Sequence, residues 1–171
     1  MPFDRDLANT LKFEGGVTTD TGGLTNYGVR QDLYDSYTKT NKLPHKDVRE
    51  LKYGDVRDYY ESEYFKKPKI DKLPEALQGV VFDSAVNLGQ GRTIKHLQET
   101  IGVKADGIVG KDTLNAVKEY IEKHGDNHLK VELLNKRITH YKTLVEQNPA
   151  KYEKYIDGWM NRISNLTNLS S

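Results

Sequence analysis

The chain has 171 residues, 36% of them hydrophobic, which suits one domain with a sizeable core or one domain with a small lobe. Its 26 basic and 25 acidic residues nearly cancel, so no strong field holds nucleic acid, and the absence of cysteine excludes a disulfide framework. No apolar run approaches the ~20 residues that cross a bilayer. The polar start Met1-Pro2-Phe3-Asp4-Arg5-Asp6 does not read as a secretory leader. Residues 1–63 carry 9 Lys or Arg against 12 Asp or Glu, and the remainder 17 against 13, a bias that reads first as an ordinary solvated surface.

Phe3, Leu7 and Leu11 repeat every four residues and predict a first helix with one buried face, started by Pro2 or Asp4 and stopped by Gly15-Gly16. Residues 17–28 hold two glycine clusters and predict a short β-hairpin or loop. Val29, Leu33 and Tyr37 predict a second helix. Asp47 is placed to cap a one-turn helix through Leu51. Gly54-Asp55 then opens a helix with Val56, Tyr59, Tyr60 and Tyr64 inward, ended by Lys67-Pro68.

Pro74 opens the next helix, and its wide apolar face of Leu77, Val80, Val81 and Ala85 marks it as central. Asn87-Leu88-Gly89 closes it. Ile94, Leu97 and Ile101 line a helix ended by Gly102, and Val103 to Gly110 read as a tight loop. Leu114, Val117 and Ile121 predict one helix; Leu129, Leu133 or Leu134, Ile138, Tyr141 and Val145 predict a long one. Pro149 restarts the chain, Tyr152, Ile156, Trp159 and Ile163 form a last helical face, and the tail from Asn165 to Ser171 is expected to fray. The expectation is a mostly helical body with a small β element near the N-terminus.

The densest chemistry lies from Phe13 to Val29. Glu14 follows the first helix, and a glycine-bracketed segment with Asp20 and Thr25 comes next. Carbonyls at a helix C-terminus and partial loss of water both favour keeping the proton on Glu14. That is what a general acid for glycosidic bonds requires. Asp20 and Thr25 on a facing hairpin would position a water on the far side of the sugar; paired carboxyls stand ~6.5–9.5 Å apart in inverting enzymes and ~5–5.5 Å apart in retaining ones. The plainer readings are a surface glutamate beside a helix cap and an aspartate that holds a turn tip.

Glu14-Gly15-Gly16 followed by Asp20-x-Gly-Gly-x-Thr25-Asn26-Tyr27-Gly28 resembles the signature of glycoside hydrolase family 108, the phage-type N-acetylmuramidases. Val81 to Gly89 resembles that family's central helix. Gly102 to Gly110 resembles the predicted peptidoglycan-binding region that accompanies it, and Gly158-Trp159-Met160-Asn161-Arg162 its C-terminal motif. The ordered set is more specific than any one motif. It implies a mainly α, lysozyme-like α+β fold: a helical bundle around a central helix with a small N-terminal β-hairpin. Residues 1–171 would form a single domain, with 1–89 the catalytic half and 90–166 the helical half resembling the peptidoglycan-binding region.

The resemblance implies cleavage of peptidoglycan between N-acetylmuramic acid and N-acetylglucosamine, with Glu14 as catalytic acid. Asp20 and Thr25 take the water-handling roles. The stretch between Glu14 and Gly22-Gly23 is shorter than is usual in the family, and Val17 stands where an aromatic residue is common.

Tyr27 and Asn87 are candidate substrate contacts, Asn87 through an acetamido group or, alternatively, as a helix C-cap. Tyr59, Tyr60 and Tyr64 suit core packing better than sugar stacking, and Trp159 also reads as core. The five histidines show no paired ligand spacing, because Gly125-Asp126 interrupts any helix between His124 and His128. No metal or cofactor is called for, since protonation and water attack need only side chains. The rival readings are a lytic transglycosylase, a non-catalytic peptidoglycan-binding module, and a secreted effector aimed at a competitor's wall. For an endolysin without a leader, the expectation is a monomer that accumulates in the host cytoplasm and reaches the periplasm or wall through a holin-type partner.

Overall fold

The structure, a computed structural model, describes residues 2–20 and 23–169, with backbone alone at Asp20, Asn168 and Leu169. It is mostly helical, with a small antiparallel sheet near the N-terminus, consistent with a mainly α lysozyme-like fold. The chain divides into two compact units, Met1–Lys69 and Ile70–Ser171.

In the first unit, α1 (Pro2–Leu11) buries Phe3 and Leu7 together with the polar Asp6, Asn9 and Thr10. The expected hairpin extends to three strands, β1 (Thr18–Asp20), β2 (Gly23–Asn26) and β3 (Val29–Arg30), in the order β1-β2-β3. Thr18 pairs with Thr25 and Asp20 with Gly23; Asn26 pairs with Val29. The two residues between β2 and β3, Tyr27 and Gly28, both have positive φ, 53° and 75°. That is the two-residue turn whose twist matches the strands it joins, and Gly28 fills its second position at no steric cost.

The helix α2 (Gln31–Thr40) starts later than the sequence suggested and turns a different face inward. Val29 belongs to β3, Leu33 is 40% exposed, and Tyr34, Tyr37 and Thr38 are the buried residues. The one-turn helix Val48–Glu50 is capped by Asp47, whose carboxylate accepts from the Arg49 backbone N–H. Its hydrogen bonds to the Arg49 side chain and backbone hold that carboxyl down at about 2. The helix α3 (Tyr53–Tyr60) runs on into a wide π-type turn, Glu61–Lys66, closed by Lys67 N–H donating to the Ser62 carbonyl. Such turns put one extra residue into a helix and redirect its face. Tyr34, Tyr37, Tyr59, Tyr60 and Tyr64 pack ring to ring, with centroids 5.4–6.1 Å apart along the cluster.

In the second unit, α4 (Glu75–Leu88) packs against α5 (Gln90–Ile101) and α7 (Asp126–Gln147). Its buried set is Leu77, Val80, Val81, Phe82, Asp83, Ser84 and Ala85. This packing places α4 in the second compact unit, which begins at Ile70. Gly102 ends α5 in the left-handed conformation at φ 78°. The loop 103–110 is pinned by buried Gln98, which donates to the Asp106 carboxylate and the Ile108 carbonyl and accepts from Gly107 N–H. After α6 (Lys111–His124) and α7 come the single turn α8 (Pro149–Tyr152) and α9 (Ile156–Leu169). The tail does not fray at Asn165: α9 continues because Ile163 and Leu166 are buried.

Three ions lie at the heart of this unit. Asp83 Oδ2 accepts from Arg137 Nη1 at 2.8 Å, and the Arg162 guanidinium engages both oxygens of Asp83 at 3.0–3.2 Å. Arg137 also donates to Ser84 Oγ and to the Tyr141 hydroxyl, which in turn donates to Asn87 Oδ1. Paired, hydrogen-bonded charges are the form in which ions tolerate burial.

Candidate active site

Beyond Leu11 the chain keeps winding through tighter bonds, with Phe13 N–H donating to the Thr10 carbonyl at 3.1 Å and Glu14 N–H to the Leu11 carbonyl at 3.2 Å. This single turn carries Glu14 from the end of α1 to the β2–β3 turn. There the carboxyl lies, half-buried, against bare backbone. A Cβ placed on Gly28 would stand 2.6 Å from Glu14 Oε2 and 2.8 Å from the Tyr60 hydroxyl oxygen. Only glycine combines the required positive φ with that approach. Tyr60, at the end of α3, is 1% exposed and donates its hydroxyl to the Tyr27 carbonyl at 2.7 Å. The turn facing Glu14 is therefore fixed from behind by a buried tyrosine.

Tyr64, in the π-type turn, reports the same neighbourhood. Burial raises its pKa first; the hydrogen bond from Tyr59 and the Arg30 charge oppose this, and the charges of Glu14 and Glu63 add to it. Tyr59, deeper still, is pushed well above the usual phenol range by burial and by its contacts with Tyr64. These hydroxyls stay neutral, so around Glu14 they act as hydrogen-bonding groups and not as bases.

Of the residues singled out from sequence, Glu14 and Tyr27 are brought to one place, Tyr27 through the turn it shares with Gly28. Tyr27 is 39% exposed, open enough to meet a ligand. Thr25 is half-buried on β2, and its hydroxyl lies 2.6 Å from that of Thr18 across the β1–β2 pair. The Asp20 side chain, with Thr21 and Gly22, lies outside the described residues. Asn87 sits in the last turn of α4 in the second unit, where its Oδ1 accepts from Tyr141. Val17, in the aromatic position of the motif, is 53% exposed.

Sequence reasoning did not assign Tyr60 or Gly28 to the site. The glycine was visible in the motif, but its approach to the carboxylate arises only once α3 delivers Tyr60. Tyr59 and Tyr60 are core residues, as their spacing implied; Trp159 is only half-buried. His96 and His140 face each other between α5 and α7 at 6.3 Å, and His124 and His128 stack at 5.2 Å across Gly125. Among the described residues no group of three His, Asp or Glu side chains is placed to hold a metal ion.

Residues 7–89 match the model of the glycosyl hydrolase 108 family, and residues 92–164 match that of a predicted peptidoglycan domain. In three dimensions the chain is similar to the structure of Brucella abortus SagA, with a TM-score of 0.79 and 26% sequence identity over 98% of this chain and 92% of that one. No curated protein matches the chain. The segment that presents Glu14 and its turn thus belongs to glycosyl hydrolase 108 and the following segment to the predicted peptidoglycan domain, so the protein is a glycoside hydrolase that acts on peptidoglycan.

Proposed function

We propose that the protein is a muramidase that hydrolyses the β-1,4 bond between N-acetylmuramic acid and N-acetylglucosamine, with Glu14 as general acid. The observation that carries this reading is the half-buried Glu14 carboxyl held against the Tyr27–Gly28 turn, with Tyr60 fixing that turn from behind. Glu14 enters the cycle protonated and gives its proton to the glycosidic oxygen as the bond to the anomeric carbon breaks. Water adds to that carbon and loses its proton to a carboxylate, a role assigned to Asp20, with Thr25 orienting the water. Tyr27 packs against the sugar.

In its biological setting the enzyme is a bacteriolytic phage endolysin. It accumulates as a monomer in the host cytoplasm and reaches the periplasm or wall through a lesion made by a holin-type partner.

Mass analysis of borohydride-reduced fragments from purified peptidoglycan tests the bond assignment. Reduced N-acetylmuramic acid ends are the expected product. Reduced N-acetylglucosamine ends would overturn the bond, and 1,6-anhydro ends would make the protein a lytic transglycosylase in which Glu14 serves as acid and then as base. Sedimentation with sacculi without any new ends would leave only a binding module.

A further inference from the structure

The C-terminal helices of the second unit carry an aromatic group that the reaction does not use. Tyr152 ends α8, Tyr155 lies in the turn Glu153–Tyr155, and Trp159 lies in the first half of α9. Their spacing puts the three on one face of a nearly continuous helical path. The inner end of that path is core, with Arg162, Ile163 and Leu166 buried, but Tyr155 is 47% exposed and Tyr152 and Trp159 are half-buried.

The rings are ordered. Trp159 stacks on buried Tyr141 with centroids 4.4 Å apart and planes 14° apart. Tyr155 stacks on Trp159 at 5.7 Å and 29°, and Tyr152 lies 6.2 Å from Trp159. Tyr141 is itself tied to Arg137 and Asn87, so the ladder Tyr141–Trp159–Tyr155 rests on the buried ion cluster. Two ammonium groups border it: Lys151 Nζ lies 5.1 Å from the centre of the Tyr152 ring and Lys154 Nζ 5.2 Å from that of Tyr155.

Rings with an apolar body and a polar tip, fixed in advance, are suited to the C–H faces of pyranoses at low entropic cost. Cations beside them suit a sugar polymer that bears carboxylates. Glycan strands of peptidoglycan combine both features, through their N-acetylated pyranoses and the lactyl and peptide carboxylates. The whole group also lies within the segment matched by the predicted peptidoglycan domain.

We infer that Tyr152, Tyr155 and Trp159 form a glycan-binding platform for peptidoglycan strands, with Lys151 and Lys154 meeting the strand's carboxylates. This rests on peptidoglycan being the substrate. The platform holds the polymer independently of the chemistry at Glu14.

Trp159 is the sole tryptophan of the chain, so its fluorescence reads the platform directly. The full chain carrying Glu14→Gln is titrated with soluble glycan strands, with and without stem peptides. The expected result is a saturable change in emission, weakened about fivefold to tenfold by Tyr155→Ala and retained by Tyr155→Phe. Lys151→Gln with Lys154→Gln lowers the salt dependence of binding for strands that carry peptides. Because Tyr155 is exposed, its substitutions leave the fold intact, which circular dichroism verifies. An emission that does not respond, or that responds equally in Tyr155→Ala, overturns the platform. Release of reducing ends by the unsubstituted enzyme is read separately. Cleavage with a silent Trp159 rejects the platform alone, and a responding Trp159 without cleavage rejects the hydrolase alone.

Discussion

The two units each place a carboxyl group among buried partners, and they do so by opposite means. The neighbours of Glu14 include the Tyr60 hydroxyl and the bare backbone of Gly28. Around Asp83 they are two guanidiniums, a few ångströms away and shielded from water. Bonded to guanidiniums from two other helices, Asp83 serves as a fixed joint between α4, α7 and α9. The tyrosine hydroxyls in the neighbourhood of Glu14 stay neutral and can donate or accept a hydrogen bond. Glu14 is half-buried beside a glycine turn and a tyrosine hydroxyl, whereas Asp83 is fully buried against two cations.

The largest effect on stability is expected where the charges are fixed. Asp83→Ala removes the carboxylate that Arg137 and Arg162 share, and denaturant unfolding should show a loss of about 3–5 kcal/mol. A loss below about 1 kcal/mol would mean that the ion cluster is not the joint of the second unit. At the other carboxyl, Gly28→Ala places a methyl where Glu14 and Tyr60 already stand and forces a positive φ on alanine. The expected stability cost is about 1–3 kcal/mol, with activity reduced at least about tenfold as the carboxyl is displaced. Full activity in this variant would detach Glu14 from its turn. Tyr60→Phe is milder, because it removes only the hydroxyl bond to the Tyr27 carbonyl. It should cost about 0.5–1.5 kcal/mol and slow turnover a few-fold with little change in KM.

The smallest effect concerns pH. Burial holds the imidazoles of His96 and His140 below their usual range, with Arg92 adding to the shift in both. For a base whose folded value is depressed, the unfolded chain binds more protons as pH falls. Stability is therefore full above about pH 6.5 and declines as pH drops through the unfolded value towards the folded one. Both residues are partly exposed, so the share of the melting shift between about pH 7.5 and 5 that they cause should be only about 2 °C. His96→Gln with His140→Gln should remove that share; an unchanged difference would show that the pair does not contribute.

Much of this arrangement was legible in the residue order. The four-residue repeat of Phe3, Leu7 and Leu11 and the apolar band of α4 gave their helices directly, because packing at those positions follows helical period. The cap at Asp47 was legible because capping is local chemistry. Glu14 stood out through its glycine setting. What was not legible depends on distance along the chain. Leu33 fits the apolar spacing of α2, yet the tyrosines of α3 make a better partner for Tyr34 and Tyr37, and the helix turns accordingly. Asp83, Arg137 and Arg162 lie on three separate helices, and nothing in their local sequence tells a buried ion from a solvated one. The same limit hid the link between Tyr60 and the Tyr27 carbonyl.

Release of reducing ends from purified peptidoglycan by the parent enzyme and by Glu14→Gln tests the role of the first carboxyl most directly. The rate should fall by about 10³-fold while the unfolding midpoint stays unchanged, since the amide keeps the shape and loses only the proton. A variant that still cleaves within about twofold of the parent rate would place the acid elsewhere and contradict this account of the site.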